Sequence, residues 1–271
     1  MVKNIRKEKE LKEIKRDCVL TMLDLYKVAR AGHIGSSLSC LDILIYLHFI
    51  QMNEEDKFVL SKGHAAAALY TVLHKSGRIS KETLRTFYQE GTLLAAHPPC
   101  GEGALEGINF GTGSLGHGLS LATGFALSNR FSDKSFNVYC VLSDGDCNEG
   151  STWEAALFAA HHSLSNLVAI IDNNGLQGFG KTEDVLKMEP MIEKWRSFNF
   201  EVYEAKEGNE FISLEKAFSK INKSKSSKPK CVIARTTKGS GVSYMENKLE
   251  WHYLPMDDEL YEAAIREIRK T

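Results

Sequence analysis

The order of apolar runs along this sequence predicts one open α/β domain, a mostly parallel sheet doubly wound with helices on both faces. Three observations carry that expectation. From residue 137 onward, short apolar runs alternate with amphipathic stretches, the rhythm of a parallel sheet with crossover helices. The segment LDILIYLHFI, at 41–50, is apolar nearly all round and must be buried on every side. Finally, the 271 residues contain nothing that resembles an interdomain linker, so one large core is the economical reading.

From Lys7 to Ala31, the apolar positions Leu11, Ile14, Cys18, Met22, Leu25 and Ala29 recur every three or four residues, which predicts an amphipathic helix stopped by Gly32. A second helix starts among the serines of Gly35–Ser39 and runs through the buried segment. KFVLS, at 57–61, reads as a short strand. A helix follows in the sixties and seventies, and Ser80 caps another. The stretch from Gly91 to Gly118 is rich in Gly and Pro, and irregular segments of that length usually serve function. Beyond it the sequence predicts a strand at Asn137–Leu142, a helix from Ser151, and a strand at Leu167–Ile171. A helix at Pro190–Phe198, a strand at Phe200–Tyr203, a helix near Leu214–Ile221 and a strand at Cys231–Arg235 complete the alternation. Residues 222–230 (NKSKSSKPK) read as a surface loop and 257–270 as a terminal helix.

Composition excludes several classes. A net charge of −1 leaves no basic surplus to neutralise a phosphate backbone, so nucleic acid is not an expected partner. The charged amino terminus lacks the apolar stretch of a secretory leader, and no run reads as a membrane span. The six cysteines have no CxxC spacing, which argues against zinc and against a disulfide scaffold and points to reduced thiols in a cytoplasm.

The most informative segment runs from Ser143 to Gly180 and reads strand, turn, helix, strand, turn. Asp144 ends the first strand, Gly145 lets backbone approach a ligand closely, and the next helix aims its first amides at the same crevice. Asn173 and Asn174 end the second strand. A crossover unit of this length sets both strand ends side by side, so Asp144 and Asn174, thirty positions apart, can present oxygens to one point. Such a point suits a hard cation, which takes oxygen donors and shares them with phosphates and water. Either residue alone would be a turn cap. The pair, with glycine after each, points to a cation and a diphosphate. His33, His64 and His97 lie in Gly- or Pro-containing segments, which favours polar roles on loops. His48, His74, His161 and His162 sit within helical patterns and carry no expected chemistry. Gly111, Gly113 and Gly116 spell GxGxxG, but LEGINF before them is no convincing strand, so a dinucleotide-binding turn is not expected.

An Asp-Gly pair followed about thirty residues later by Asn-Asn-Gly resembles the signature of thiamine-diphosphate enzymes. AGHIG at 31–35, SKGH at 61–64, AHPP at 96–99, GTGSLGHG at 111–118 and DNNGLQ at 172–177 are similar to transketolase motifs in the same order, over essentially the whole chain. The resemblance implies that Asp144 and Asn174 ligate Mg²⁺ or Ca²⁺ by side chain and Leu176 by its carbonyl. Gly145 and Asn174 would also touch thiamine diphosphate, His64 and His252 would bond its diphosphate, and the backbone of Gly113, Ser114 and Leu115 would lie near its aminopyrimidine. His33 and His97 would handle sugar hydroxyls, and Glu149 resembles a glutamate that bridges protomers. Ile34 stands where the family has proline, and Pro99 where it commonly has glutamate, departures that bear on the sugar more than on the cofactor.

The resemblance further implies ketol transfer between sugars, though not by this chain alone, because the family's activating glutamate lies on a second, pyrimidine-binding domain. The expected partner is a C-terminal transketolase subunit carrying that domain, with a homodimer of this chain inside a heterotetramer and sugar phosphates as substrates. Two other readings stand beside it: the alpha subunit of a 2-oxo acid dehydrogenase, against which AGHIG, SKGH and GTGSLGHG argue, and a non-catalytic partner subunit.

Overall fold

The computed structural model describes residues 2–99 and 105–270; Cys100, one of the expected reduced thiols, lies outside them. Helix α1 (Val2–Ala29) leads through a turn to α2 (Ile34–Tyr46), which continues as a π-helical turn at Leu47–Gln51. Strand β1 (Lys57–Leu60) precedes α3 (Ala66–Lys75) and the single turn α4 (Lys81–Leu84). Ser80 caps α4 as expected, its hydroxyl accepting from the Thr83 amide at 3.1 Å. After the irregular segment come α5 (Gly118–Ser128), β2 (Val138–Ser143), α6 (Gly150–His161), β3 (Leu167–Asn173), the turn α7 (Thr182–Val185) and α8 (Met191–Ser197). The chain closes with β4 (Glu201–Ala205), α9 (Phe211–Lys223), β5 (Lys230–Arg235) and α10 (Asp258–Ile268), the last capped by Asp257.

The strands form one sheet in the order β1-β2-β3-β5-β4, every pair parallel. Alternation along the strands builds two cores. Phe58, Leu60, Tyr139, Val141, Val168, Ile170, Val232 and Ala234 face a cluster closed by α1, α2, α3 and α9. Val59, Cys140, Leu142, Ala169, Ile171 and Ile233 face the opposite cluster with α5, α6 and α8. The sheet is therefore doubly wound, and β2, β3 and β5, buried on both faces, carry the apolar runs read from the sequence.

Two expectations change. From the sequence no element is assigned between Gly118 and Asn137, yet α5 lies there; its buried side chains are mostly small, with Gly124 in mid-helix, so the apolar period is faint. The segment Ile34–Gln51 does reach the length and hydropathy of a membrane span, contrary to expectation, but 78% of it is buried in the fold, and it serves as the central core helix. The five described cysteines are all unbridged and buried.

Where α5 begins, its backbone meets the end of β1 with no room for a side chain: a Cβ on Gly118 would lie 2.5 Å from Ser61 Cα. Gly118→Ala should destabilise the chain by about 1–3 kcal/mol, the cost of forcing packed backbone apart, read as a lower urea midpoint at unchanged slope.

Candidate functional site

The carboxyl ends of β2 and β3 lie side by side, Ser143 in register with Asp172. Asp144 follows directly and is 1% exposed. One carboxylate oxygen accepts from the Gly145 amide at 2.9 Å, and the other accepts from the Gly175 amide at 2.9 Å and the Thr182 hydroxyl at 2.7 Å. The turn after β2 is thus tied to the turn after β3 by a single side chain. Burial dominates its ionisation and raises its pKa to about 6, against the pull of Thr182.

Asn174 donates to the Ser39 hydroxyl at 3.0 Å, and its amide oxygen accepts from the Leu176 amide at 3.0 Å. The Leu176 carbonyl accepts from the Lys238 ammonium at 3.2 Å, which also donates to His252 Nδ1 at 2.8 Å. Burial, and then Lys62, push Lys238 down to about 8. Lys62, fully buried, donates to the Ser36 carbonyl at 3.0 Å and pairs with the buried Asp172 carboxylate. Asp172 is held in turn by Ser39 at 2.7 Å and by Thr236. Asp144, Asn174 and Leu176 supply one carboxylate, one amide and one carbonyl oxygen to the same cleft, a donor set of the kind magnesium or calcium accepts, while Lys62 and Lys238 add the positive charge a diphosphate needs. Among the described residues no group of three or more His, Cys, Asp or Glu is placed to hold a metal ion.

Three histidines wall the cleft. The ring centroids of His33, His64 and His252 stand 4.9 to 5.6 Å apart. His33 takes a left-handed conformation (φ 74°) at the start of α2 and donates its amide to the His252 carbonyl at 3.0 Å. Burial lowers the pKa of all three, taking His252 to about 3 with help from Lys238, so they are neutral imidazoles at pH 7. His97 also lines the cleft, with its ring 3.7 Å from where a Cβ on Gly113 would stand, and burial lowers it too.

A second buried carboxylate, Asp146, positions the glycine loop. It accepts from Ser61 at 2.6 Å, from the Gly116 amide at 2.8 Å and from the Ser143 amide at 2.7 Å. The cleft, about 260 Å³, therefore gathers His33, His64, His97, Gly113, Leu115, Asp144, Gly145, Asn174, Leu176 and His252 from widely separated stretches of chain. Two expected residues do not line it. Ser114 is exposed, and Glu149 is exposed at the amino-terminal cap of α6, beside Gly116.

Residues 10–270 match the family described as the transketolase, thiamine diphosphate binding domain. The chain belongs to the transketolase family. It is 40% identical over 256 residues to one subunit of an apulose-4-phosphate transketolase from Phocaeicola vulgatus, covering 91% of this chain and 89% of that one. It is 35% identical to a 6-deoxy-6-sulfo-D-fructose transketolase subunit of a Clostridium species, with 93% of each chain covered. The transketolase structure from Campylobacter jejuni superposes with a TM-score of 0.87 at 30% identity, covering 96% of this chain and 42% of that one. The chain thus spans well under half of that longer enzyme. Within this transketolase domain, Ser36, Lys62 and Lys238 line the cleft without being expected there. Lys62 stands inside the SKGH motif, but nothing in sequence distinguishes a lysine buried against Asp172 from one in solvent.

Burial raises the Asp144 pKa to about 6, so a cation ligated by Asp144 would have to displace a proton at lower pH. Calorimetric titration of Mg²⁺ with thiamine diphosphate should show affinity falling by up to about tenfold per pH unit below about 6 and levelling above about 7. A flat profile would remove Asp144 from the cation shell.

Proposed function

We propose that this chain is the cofactor-anchoring subunit of a two-chain transketolase, which passes a two-carbon ketol unit from a ketose to an aldose. The observation that carries this reading is the junction of the two strand ends, where the Asp144 carboxylate takes the Gly175 amide within a cleft that also holds Asn174, Leu176, Lys62, Lys238 and a wall of histidines. Asp144, Asn174 and the Leu176 carbonyl would hold Mg²⁺ or Ca²⁺. His64, His252 and Lys238 would hold the diphosphate, with Gly113, Leu115 and Gly145 against the rings. Bound thiamine diphosphate supplies an electron sink for breaking a carbon–carbon bond next to a carbonyl. His33 and His97, neutral at the cleft wall, would orient sugar hydroxyls and relay protons. Ser114 would contribute through its backbone, and Glu149 across a subunit boundary.

Relatives of matching length are named as single subunits of a transketolase, which supports a partner that brings the pyrimidine-binding domain. We read the assembly as a homodimer of this chain flanked by two such partners, acting on sugar phosphates. Buried free thiols suit a cytoplasmic location.

Ketol transfer with thiamine diphosphate and Mg²⁺ present should be absent from this chain alone and arise when the partner is added; robust turnover by residues 1–271 alone would overturn the divided-enzyme reading. In the assembled enzyme, Asp144→Ala should weaken metal-dependent cofactor binding by more than about a hundredfold. The histidines should divide. His97→Ala should lower kcat/KM by about a hundredfold or more while cofactor affinity holds, whereas His64→Ala should lose cofactor first. Equal loss of cofactor in both would mean that His97 belongs to the diphosphate site.

A further inference from the structure

Tyr253 stands at the mouth of the cleft, about half exposed, next to His252 and within reach of the space that His33 lines. Three contacts fix it. Its hydroxyl donates to the Gly178 carbonyl at 2.7 Å. Its ring meets the His252 ring edge to face, with centroids 4.8 Å apart. Its backbone carbonyl packs so close to Gly32 that a Cβ there would stand 2.7 Å away. Gly178 is the complement of this arrangement: a Cβ at 178 would lie 2.5 Å from the tyrosine hydroxyl, so bare backbone lets the ring reach across. The loop that carries Gly178 is itself tied down, with the Gln177 amide donating to the Gly180 carbonyl at 2.8 Å and Leu176 bridged to Lys181.

A surface tyrosine ordinarily samples several rotamers, but this one is anchored at its backbone and at its hydroxyl. We propose that Tyr253 is a specificity-determining residue whose pinned ring narrows the entrance and selects ketoses with a compact distal end. The inference rests on the ketol-transfer reading. A ketose must bring its carbonyl to the bound cofactor between His33 and His97, so its distal carbons trail out past the rim. There they meet a flat apolar face whose only polar atom is already engaged by Gly178. Carbon-bound hydrogens can pack on that face, whereas a longer hydroxylated chain must give up water without gaining a partner.

The test uses the assembled enzyme with both chains, thiamine diphosphate and Mg²⁺, and a series of ketose donors graded by chain length. Tyr253→Gly should raise kcat/KM for the longest donor relative to the shortest by about tenfold, the scale of discrimination that shape alone achieves in a pocket. Tyr253→Phe, which keeps the ring but loses its tether, should fall between. Gly178→Ala, which displaces the ring without altering it, should shift the ratio in the same direction as Tyr253→Gly. Cofactor affinity should stay within about twofold in both Tyr253 variants, since neither change touches the cation donors. An equal change for every donor, or a ratio unmoved in Tyr253→Gly, would overturn the proposal. Absence of turnover in the unmodified assembly would instead count against ketol transfer. The size ratio would then be read from calorimetric binding of the same ketoses, with the same outcomes deciding.

Discussion

The site depends on one buried ion pair. Lys62 lies just past the end of β1 and meets Asp172 near the end of β3, both fully excluded from solvent. Around them converge the Ser36 carbonyl and Ser39 hydroxyl of α2 and the Thr236 hydroxyl that follows β5. Taking two charges out of water is costly, and their mutual attraction repays it only when the remaining donors and acceptors are also satisfied. Here they are: Asp172 accepts from Lys62, Ser39 and Thr236, while Lys62 also finds a carbonyl. Such a pair adds little net stability over an apolar substitute, but losing one partner strands the other and costs about 3–5 kcal/mol. Its effect is to fix where four elements end relative to one another, and these ends form the floor of the cleft.

Electrostatics of the cleft follow from that floor. Burial and the nearby Lys62 lower the pKa of Lys238, and burial together with the two lysines keeps His252 neutral. The cleft thus sets two buried ammonium groups and the buried Asp144 carboxylate beside neutral imidazoles. A diphosphate with its cation would complement both signs of charge at once under the proposed function, the cation facing Asp144 and the phosphates facing the lysines. That gives the residues of the cleft a common reason to be where they are.

Much of this is legible in sequence because the chemistry sits at the ends of regular elements. Asp144 and Asn174 announce themselves by position: each follows an apolar run and precedes glycine, and parallel pairing then brings them together. The histidines in Gly- and Pro-containing loops are legible for the same reason. Other features are hidden. Strand β3 runs two residues past the expected Ile171, because Asp172 and Asn173 are polar yet still pair with β5. Lys62 and Lys238 read as ordinary charged residues, since burial beside a carboxylate has no signature in local sequence. Tyr253 gives no signal either, as its importance lies in Gly32 and Gly178, which are far from it along the chain.

Sequence separation governs how the cleft is acquired. Strand β1 pairs with β2 from Lys57 to Val138, and the Lys62–Asp172 pair closes a separation of 110 residues. Contacts so distant along the chain must wait for loop closure before they return any energy, so their formation belongs late in the search. Helical hairpins such as α1–α2 can assemble early from local contacts, but the cleft becomes whole only with the last long-range pairing. A nascent or partly unfolded chain therefore has no rudimentary cofactor site, and ligand binding acts as a check on the finished topology.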